Sequence, residues 1–371
     1  MTHPTRLNWK LPLLLYLATW LTTTFCRFFV DGDVGNIKDH VLYNLLLSLC
    51  LSVSGTESAS QYWILFGESL WEALQFSTAL MLILTCHELG HYIQSRRYRV
   101  RSSLPYFLPM PLGPLGTFGA VIVMDDDVPN SRALFDIGIS GPLAGLIPSL
   151  FFLYYGIQWS YLGPRQPGGI EFGDPLIFQW TIYWIYGQIP PDMMLYWHPA
   201  AFAAWAGLLV TTLNLIPFGQ LDGGHILYAM LGRKSVPFVR CIFVAALIAV
   251  AWFRLWHWSL MLILILLMGI SHPPTADDTV PLKPFRHCLG WATLLFVFIG
   301  FVPTPLTPDE HEPYQKPHWY CIENTCSPTV NWATFARQAD HPCPSTGGEL
   351  SCSPPVEGCP IGRGGSFYAN R

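Results

Sequence analysis

Long stretches of this chain carry no charged side chain, and that limits its fold more than any other feature. Seven apolar runs, at residues 11–25, 70–86, 137–155, 200–218, 237–252, 258–270 and 288–302, are long enough or nearly long enough to cross a bilayer. A spanning helix needs roughly 20 mostly apolar residues. Only 12% of the 371 residues are charged, whereas a soluble chain carries about a quarter. The expected fold is therefore an all-α polytopic membrane protein of about 6–7 transmembrane helices. Two further stretches, 41–53 and 176–186, are short and interrupted by polar or aromatic residues. They read as interfacial or re-entrant, with 41–53 alternatively a further span.

Few charges remain to recruit a partner, so the net charge of −4 says little. The basic cluster Arg96, Arg97, Arg99 and Arg101 lies beside an apolar run. There it acts as a positive-inside anchor rather than a nucleic-acid surface. Arg6 and Lys10, and Arg233 and Lys234, fall on the same side if the first helix runs outward and the second returns. That side is cytoplasmic by the positive-inside rule. The first run lacks the small-residue cleavage motif of a signal peptide and reads as a retained helix. The expectation is a multi-pass protein of a bacterial inner membrane.

Between residues 105 and 132 the chain is rich in Pro and Gly, including Pro105, Pro109, Pro111, Pro114, Gly116 and Gly119. It cannot be helical there. Residues 120–124 are β-prone, so a short membrane-associated β segment is expected between the second and third helices. It is either an ordinary loop or a strand whose edge faces a wet cavity, since irregular backbone at membrane depth needs such cover. From residue 304 the composition shifts to Pro, Gly, Ser and charged residues. Five cysteines (Cys321, Cys326, Cys343, Cys352 and Cys359) crowd this stretch. Their spacing lacks the paired pattern of a zinc ribbon. The expected domains are a transmembrane part at 1–303 and a soluble tail at 304–371.

The chemistry gathers at His87-Glu88-Leu89-Gly90-His91. Residues four apart share a helix face, so His87 and His91 can offer two imidazoles to one metal ion. Glu88 is turned aside, near enough to reach a metal-bound water without displacing it. This is the mechanics of HExxH: zinc lowers the pKa of a water to about 7, and the glutamate takes its proton. Two histidines and a glutamate at the end of an apolar helix are costly without such a task.

A catalytic zinc needs a third protein ligand. The candidates are Asp125–Asp127, Asp136 and Asp222. The Asp triplet reads as a solvated turn, and Asp136 as a residue near a helix N-terminus favoured by the dipole. Asp222 lies in Asn214-Leu215-Ile216-Pro217-Phe218-Gly219-Gln220-Leu221-Asp222-Gly223-Gly224, after an uncharged run. A lone carboxylate there is a functional candidate. The residues alone leave the choice open.

Together these motifs resemble the site-2 protease (peptidase M50) family of intramembrane zinc metalloproteases. HELGH matches its HExxH, and 214–224 matches its NxxPxxxLDGG. Residues 116–122 (GTFGAVI) and 135–145 are similar to the EGY-like branch. The resemblance covers roughly residues 70–235. It implies one zinc ion per chain on His87, His91 and Asp222, with Glu88 as general base. It implies that Asn214 helps hold substrate or stabilise the oxyanion. The strand bearing Gly116, Phe118 and Gly119 would receive an unwound substrate segment. The implied partners are single-pass transmembrane proteins within the lipid bilayer, cut near the cytoplasmic side. A membrane zincin with a glutamate as third ligand would need a Glu on a later apolar helix, and none is present. A transporter would spread polar residues over several helices rather than gather them in two motifs. Oligomeric state has no signature in the sequence.

Overall fold

A 40-residue helix carries the HELGH motif, much longer than the apolar run that announces it. The computed structural model describes residues 9–30, 58–111, 113, 115–124, 128–165 and 170–308. The stretch 41–53, the Asp125–Asp127 triplet and the five tail cysteines lie outside the described residues. Helices α1 (Lys10–Val30) and α2 (Ser58–Arg97) are followed by strands β1 (Tyr106–Pro109) and β2 (Thr117–Val121). Then come α3 (Ser131–Trp159), β3 (Tyr161–Pro164), β4 (Ile170–Phe172), α4 (Leu176–Tyr186) and β5 (Met193–Tyr196). The chain continues through α5 (Pro199–Asn214), α6 (Asp222–Leu231), α7 (Ser235–Trp252), α8 (Ser259–Met268), α9 (Pro284–Gly300) and β6 (Leu306–Pro308).

The fold is mostly helical, as expected. Four segments are long and apolar enough to cross a membrane: Lys10–Phe28, Phe66–Arg97, Ser131–Trp159 and Asp222–Trp252. The apolar helices Pro199–Asn214, Trp256–Met268 and Pro284–Gly300 are shorter. The run 200–218 shortens because the helix ends at Asn214, ahead of Pro217. A new helix begins at Asp222.

Short as it is, α5 is central. Twelve of its 16 residues are buried, on every side, in the sequence PAAFAAWAGLLVTTLN. Small side chains let its neighbours approach closely, which is how helices associate where lipid is as apolar as leucine. Phe76, Leu80, Met81 and Leu84 of α2 join Leu153 and Ile157 of α3 around Ala201, Ala204, Trp205 and Leu208. A second cluster links Leu134, Phe135 and Ile139 of α3 to Ile226, Leu227 and Met230 of α6. Leu13, Leu14, Leu17 and Leu21 of α1, and Leu247 and Ile248 of α7, are exposed. A lipid-facing surface has that composition.

The expected β segment is a hairpin. β1 and β2 pair antiparallel, with Tyr106 opposite Val121, Phe107 opposite Ala120 and Pro109 opposite Thr117. The register shifts between Phe107 and Pro109. β3 pairs with β5, and β4 with β6. The β6 pairing joins the residues just past 303 to the loop before α4.

Candidate metal centre

His87 and His91 lie one turn apart on α2, so the helical period alone puts both rings on one face. Asp222 is the first residue of α6 and faces them from across the core. His87 Nε2 is 3.1 Å from Asp222 Oδ2, and His91 Nε2 is 3.2 Å from Asp222 Oδ1. The two imidazole Nε2 atoms are 3.2 Å apart. One ligand atom from each residue lies within 4.8 Å of the other two.

The donor set suits a metal ion. A carbonyl oxygen only accepts hydrogen bonds, so His91 Nδ1 donates to Ile137 O at 2.8 Å. With the ring neutral, as a metal ligand must be, its Nε2 lone pair faces the other two residues. A backbone carbonyl that fixes the tautomer is the usual outer partner of a metal-ligating histidine. Three electron-pair donors crowded together repel one another unless a proton or cation sits among them. Two nitrogens and a carboxylate oxygen match the preference of zinc for mixed N and O ligands with one position left open.

Helix α3 builds the back wall of the site. A Cβ on Gly141 would stand 2.0 Å from His91 Nε2. A Cβ on Gly145 would stand 3.0 Å from His87 Cβ. Gly90, inside the motif, is needed for a similar reason: its Cβ would meet Ser140 O at 2.4 Å. Ser140 Oγ also donates to Gly90 O at 3.0 Å, locking the helices together at that level. On the Asp222 side, a Cβ on Gly223 would meet Leu215 O at 2.0 Å. That close approach brings the start of α6 back against the end of α5.

Glu88 is buried at 7% exposure, beside the histidines in sequence. Among the described residues it forms no hydrogen bond or ion pair, which leaves its carboxylate available. Asn214 ends α5 with its side chain partly exposed and, among the described residues, without a hydrogen-bond partner. Phe118 projects from β2 at 72% exposure. Gly119 has φ +91 and open space beside it. Gly116 has φ +73 and abuts α1, where Thr22 Oγ1 donates to its carbonyl at 2.8 Å. Among the described residues, β2 pairs only with β1, so its other edge carries no strand.

Asp136 plays a different part from the one the sequence suggested. Helix α3 starts at Ser131, capped by Asn130, whose side chain accepts from Ala133 N. Asp136 therefore sits in the second turn, too far in to act as a cap. It accepts from Arg286 Nε and Nη2, each at 2.8 Å, and from the Tyr98 hydroxyl. That pairing ties α9 and the end of α2 to α3. Sequence reasoning missed the Ile137 carbonyl and Ser140. A backbone carbonyl has no residue signature, although the small-residue pattern Gly138-Ile139-Ser140-Gly141 marks a close helix approach.

Residues 75–253 match the family described as Peptidase family M50. The probable zinc metalloprotease EGY2, chloroplastic, of Oryza sativa subsp. indica is 31% identical over 232 residues, covering 60% of this chain and 41% of its own length. The probable zinc metalloprotease EGY1, chloroplastic, of Arabidopsis thaliana is 30% identical over 173 residues, covering 44% of this chain and 31% of its own. The probable zinc metallopeptidase EGY3, chloroplastic, of Arabidopsis thaliana is 24% identical over 290 residues, covering 70% and 49%. The chain thus spans less than half the length of these curated relatives. They are named as chloroplastic, so they lend no support to a bacterial inner membrane. No solved structure matches.

Proposed function

Residues 75–253 match peptidase family M50, and from that match we propose that the chain is a zinc-dependent intramembrane endopeptidase of this family. One observation carries the reading: His87, His91 and Asp222 converge to within 4.8 Å although 135 residues separate the first from the last. The curated relatives bear the name zinc metalloprotease, which agrees with that donor set.

In this reading His87 Nε2, His91 Nε2 and the Asp222 carboxylate hold one zinc ion. When bound there, zinc would supply Lewis acidity toward a water and a carbonyl oxygen. Glu88 takes a proton from the attacking water and returns it to the leaving amide nitrogen. Asn214, at the end of α5, steadies the substrate carbonyl. The unpaired edge of β2 takes up substrate as an added strand, with Phe118 against it, Gly116 turning the chain into the strand and Gly119 leaving open space at its middle. Strand addition suits this chemistry because a transmembrane helix hides its amides in internal hydrogen bonds and must unwind before a carbonyl is reachable. The substrates are single-pass transmembrane proteins in the bilayer, cut near the cytoplasmic side. If the three shorter apolar helices cross as well, the chain makes the larger number of crossings expected from its sequence. Residues 1–303 form the membrane protease and 304–371 a soluble tail.

The test is Glu88→Gln, with zinc content and cleavage of a model transmembrane substrate measured in membranes. Zinc is retained and cleavage falls at least about 100-fold, in line with loss of a general base. Full cleavage by this variant would overturn the assigned base.

A further inference from the structure

The segment 269–278, between α8 and α9, lies beyond the family match, which ends at residue 253. It nonetheless grips both sides of Asp222. Gly219 N donates to Ile270 O at 2.9 Å, three residues before Asp222. His225 Nδ1 is 2.7 Å from His272 Nε2, three residues after it. Tyr228 donates its hydroxyl to Asp278 Oδ2 at 2.8 Å, one further turn along α6. The Tyr228 ring also leans on His272, with centroids 5.1 Å apart. Ala276 N donates to Val128 O at 3.1 Å, just ahead of α3.

The His272–His225 contact has a defined direction. The Pro273 carbonyl can only accept, so His272 Nδ1 donates to it. Burial pushes the His272 pKa below its ordinary value, which keeps the ring neutral. Its Nε2 is then an acceptor, and His225 Nδ1 donates. His225 in turn packs against the turn of α3 that serves His91: a Cβ on Gly138 would stand 2.8 Å from His225 Cβ, and Ile137 O receives the His91 proton. A single strap thus fixes the helix that carries Asp222 and buttresses the carbonyl that orients His91.

We propose that residues 269–278 are a positioning strap for the metal centre and that His272, through His225, is its positioning residue. This rests on the zinc reading given above. Outer partners of metal ligands are worth about 10–100-fold in metal affinity. His272 bonds His225 rather than a ligand, so it acts one step further out and the lower end of that range applies.

The experiment compares His272→Leu, which keeps bulk and removes the acceptor, with His272→Gln, which restores one near the position of Nε2. Zinc affinity of the full chain is measured by chelator competition in a reconstituted bilayer, alongside melting of the zinc-free protein. The Leu variant binds zinc about tenfold or more weakly, and the Gln variant binds close to the unsubstituted chain, while their zinc-free melts agree. Equal zinc affinities for Leu and Gln overturn the strap, whether both are normal or both are reduced. An unsubstituted chain that binds no zinc overturns the metal centre itself, so the two failures are distinguishable.

Discussion

His91 Nδ1 lies 2.8 Å from the carbonyl oxygen of Ile137, a residue 46 positions away on the neighbouring helix. That hydrogen bond decides which nitrogen of His91 is free. It also makes α3 part of the metal centre, although none of its side chains joins the three donors.

Gly141→Ala follows directly. The new methyl would stand 2.0 Å from His91 Nε2, where no real contact exists, so ring or helix must shift. Zinc affinity is expected to fall by roughly 100-fold or more, beyond the usual effect of an outer partner. Gly145→Ala, whose nearest neighbour is His87 Cβ at 3.0 Å, has a smaller effect. Chelator competition on both proteins checks the order.

Asp222→Asn keeps the shape of the side chain and removes its charge. Zinc affinity is expected to drop at least about tenfold, with the helical circular dichroism spectrum unchanged. Undiminished affinity would falsify the third ligand.

Zinc removal should lower thermal stability. A ligand that binds only the folded state adds about 2.7 kcal/mol at 100 times its dissociation constant. Melting in detergent, with and without a chelator, is expected to show a reversible fall that zinc restores and magnesium does not. Melting curves indifferent to zinc would count against a metal centre.

Phe118→Ala separates binding from folding. An aromatic ring at 72% exposure adds little to the packed structure, so stability should change by no more than about 0.5 kcal/mol. If β2 receives substrate, cleavage of a transmembrane reporter should weaken mainly through KM. An unchanged KM would remove Phe118 from the substrate path.

Arg286→Met leaves Asp136 half-buried with only the Tyr98 hydroxyl. It should cost about 1–3 kcal/mol in unfolding. Arg286→Lys should recover only part of that, because lysine cannot form two parallel bonds to one carboxylate. Zinc content should stay the same in both, since Asp136 serves a fold contact. Loss of zinc alone would return Asp136 to the list of ligands.

The legible part of this protein was local. The four-residue spacing of His87 and His91, the apolar runs and the Pro/Gly hairpin region each follow from neighbours along the chain. The burial of α5 was harder to read, because a helix of 16 residues is too short to be judged by length. Its alanines show it to be central only once α2 and α3 are packed around it. Asp136 was misread for a related reason: its partner, Arg286, lies 150 residues away.

The sequence by itself determined that two imidazoles share one helix face with a carboxylate beside them, since the helical period imposes that spacing wherever a helix forms. It also marked Asp222 as the odd charge in an apolar setting. Tertiary structure alone decided that Asp222 arrives within 3.2 Å of both rings and that a carbonyl of α3 selects the His91 tautomer. Such meetings depend on how closely three helix backbones approach, and glycines permit that approach without naming the atoms that will touch.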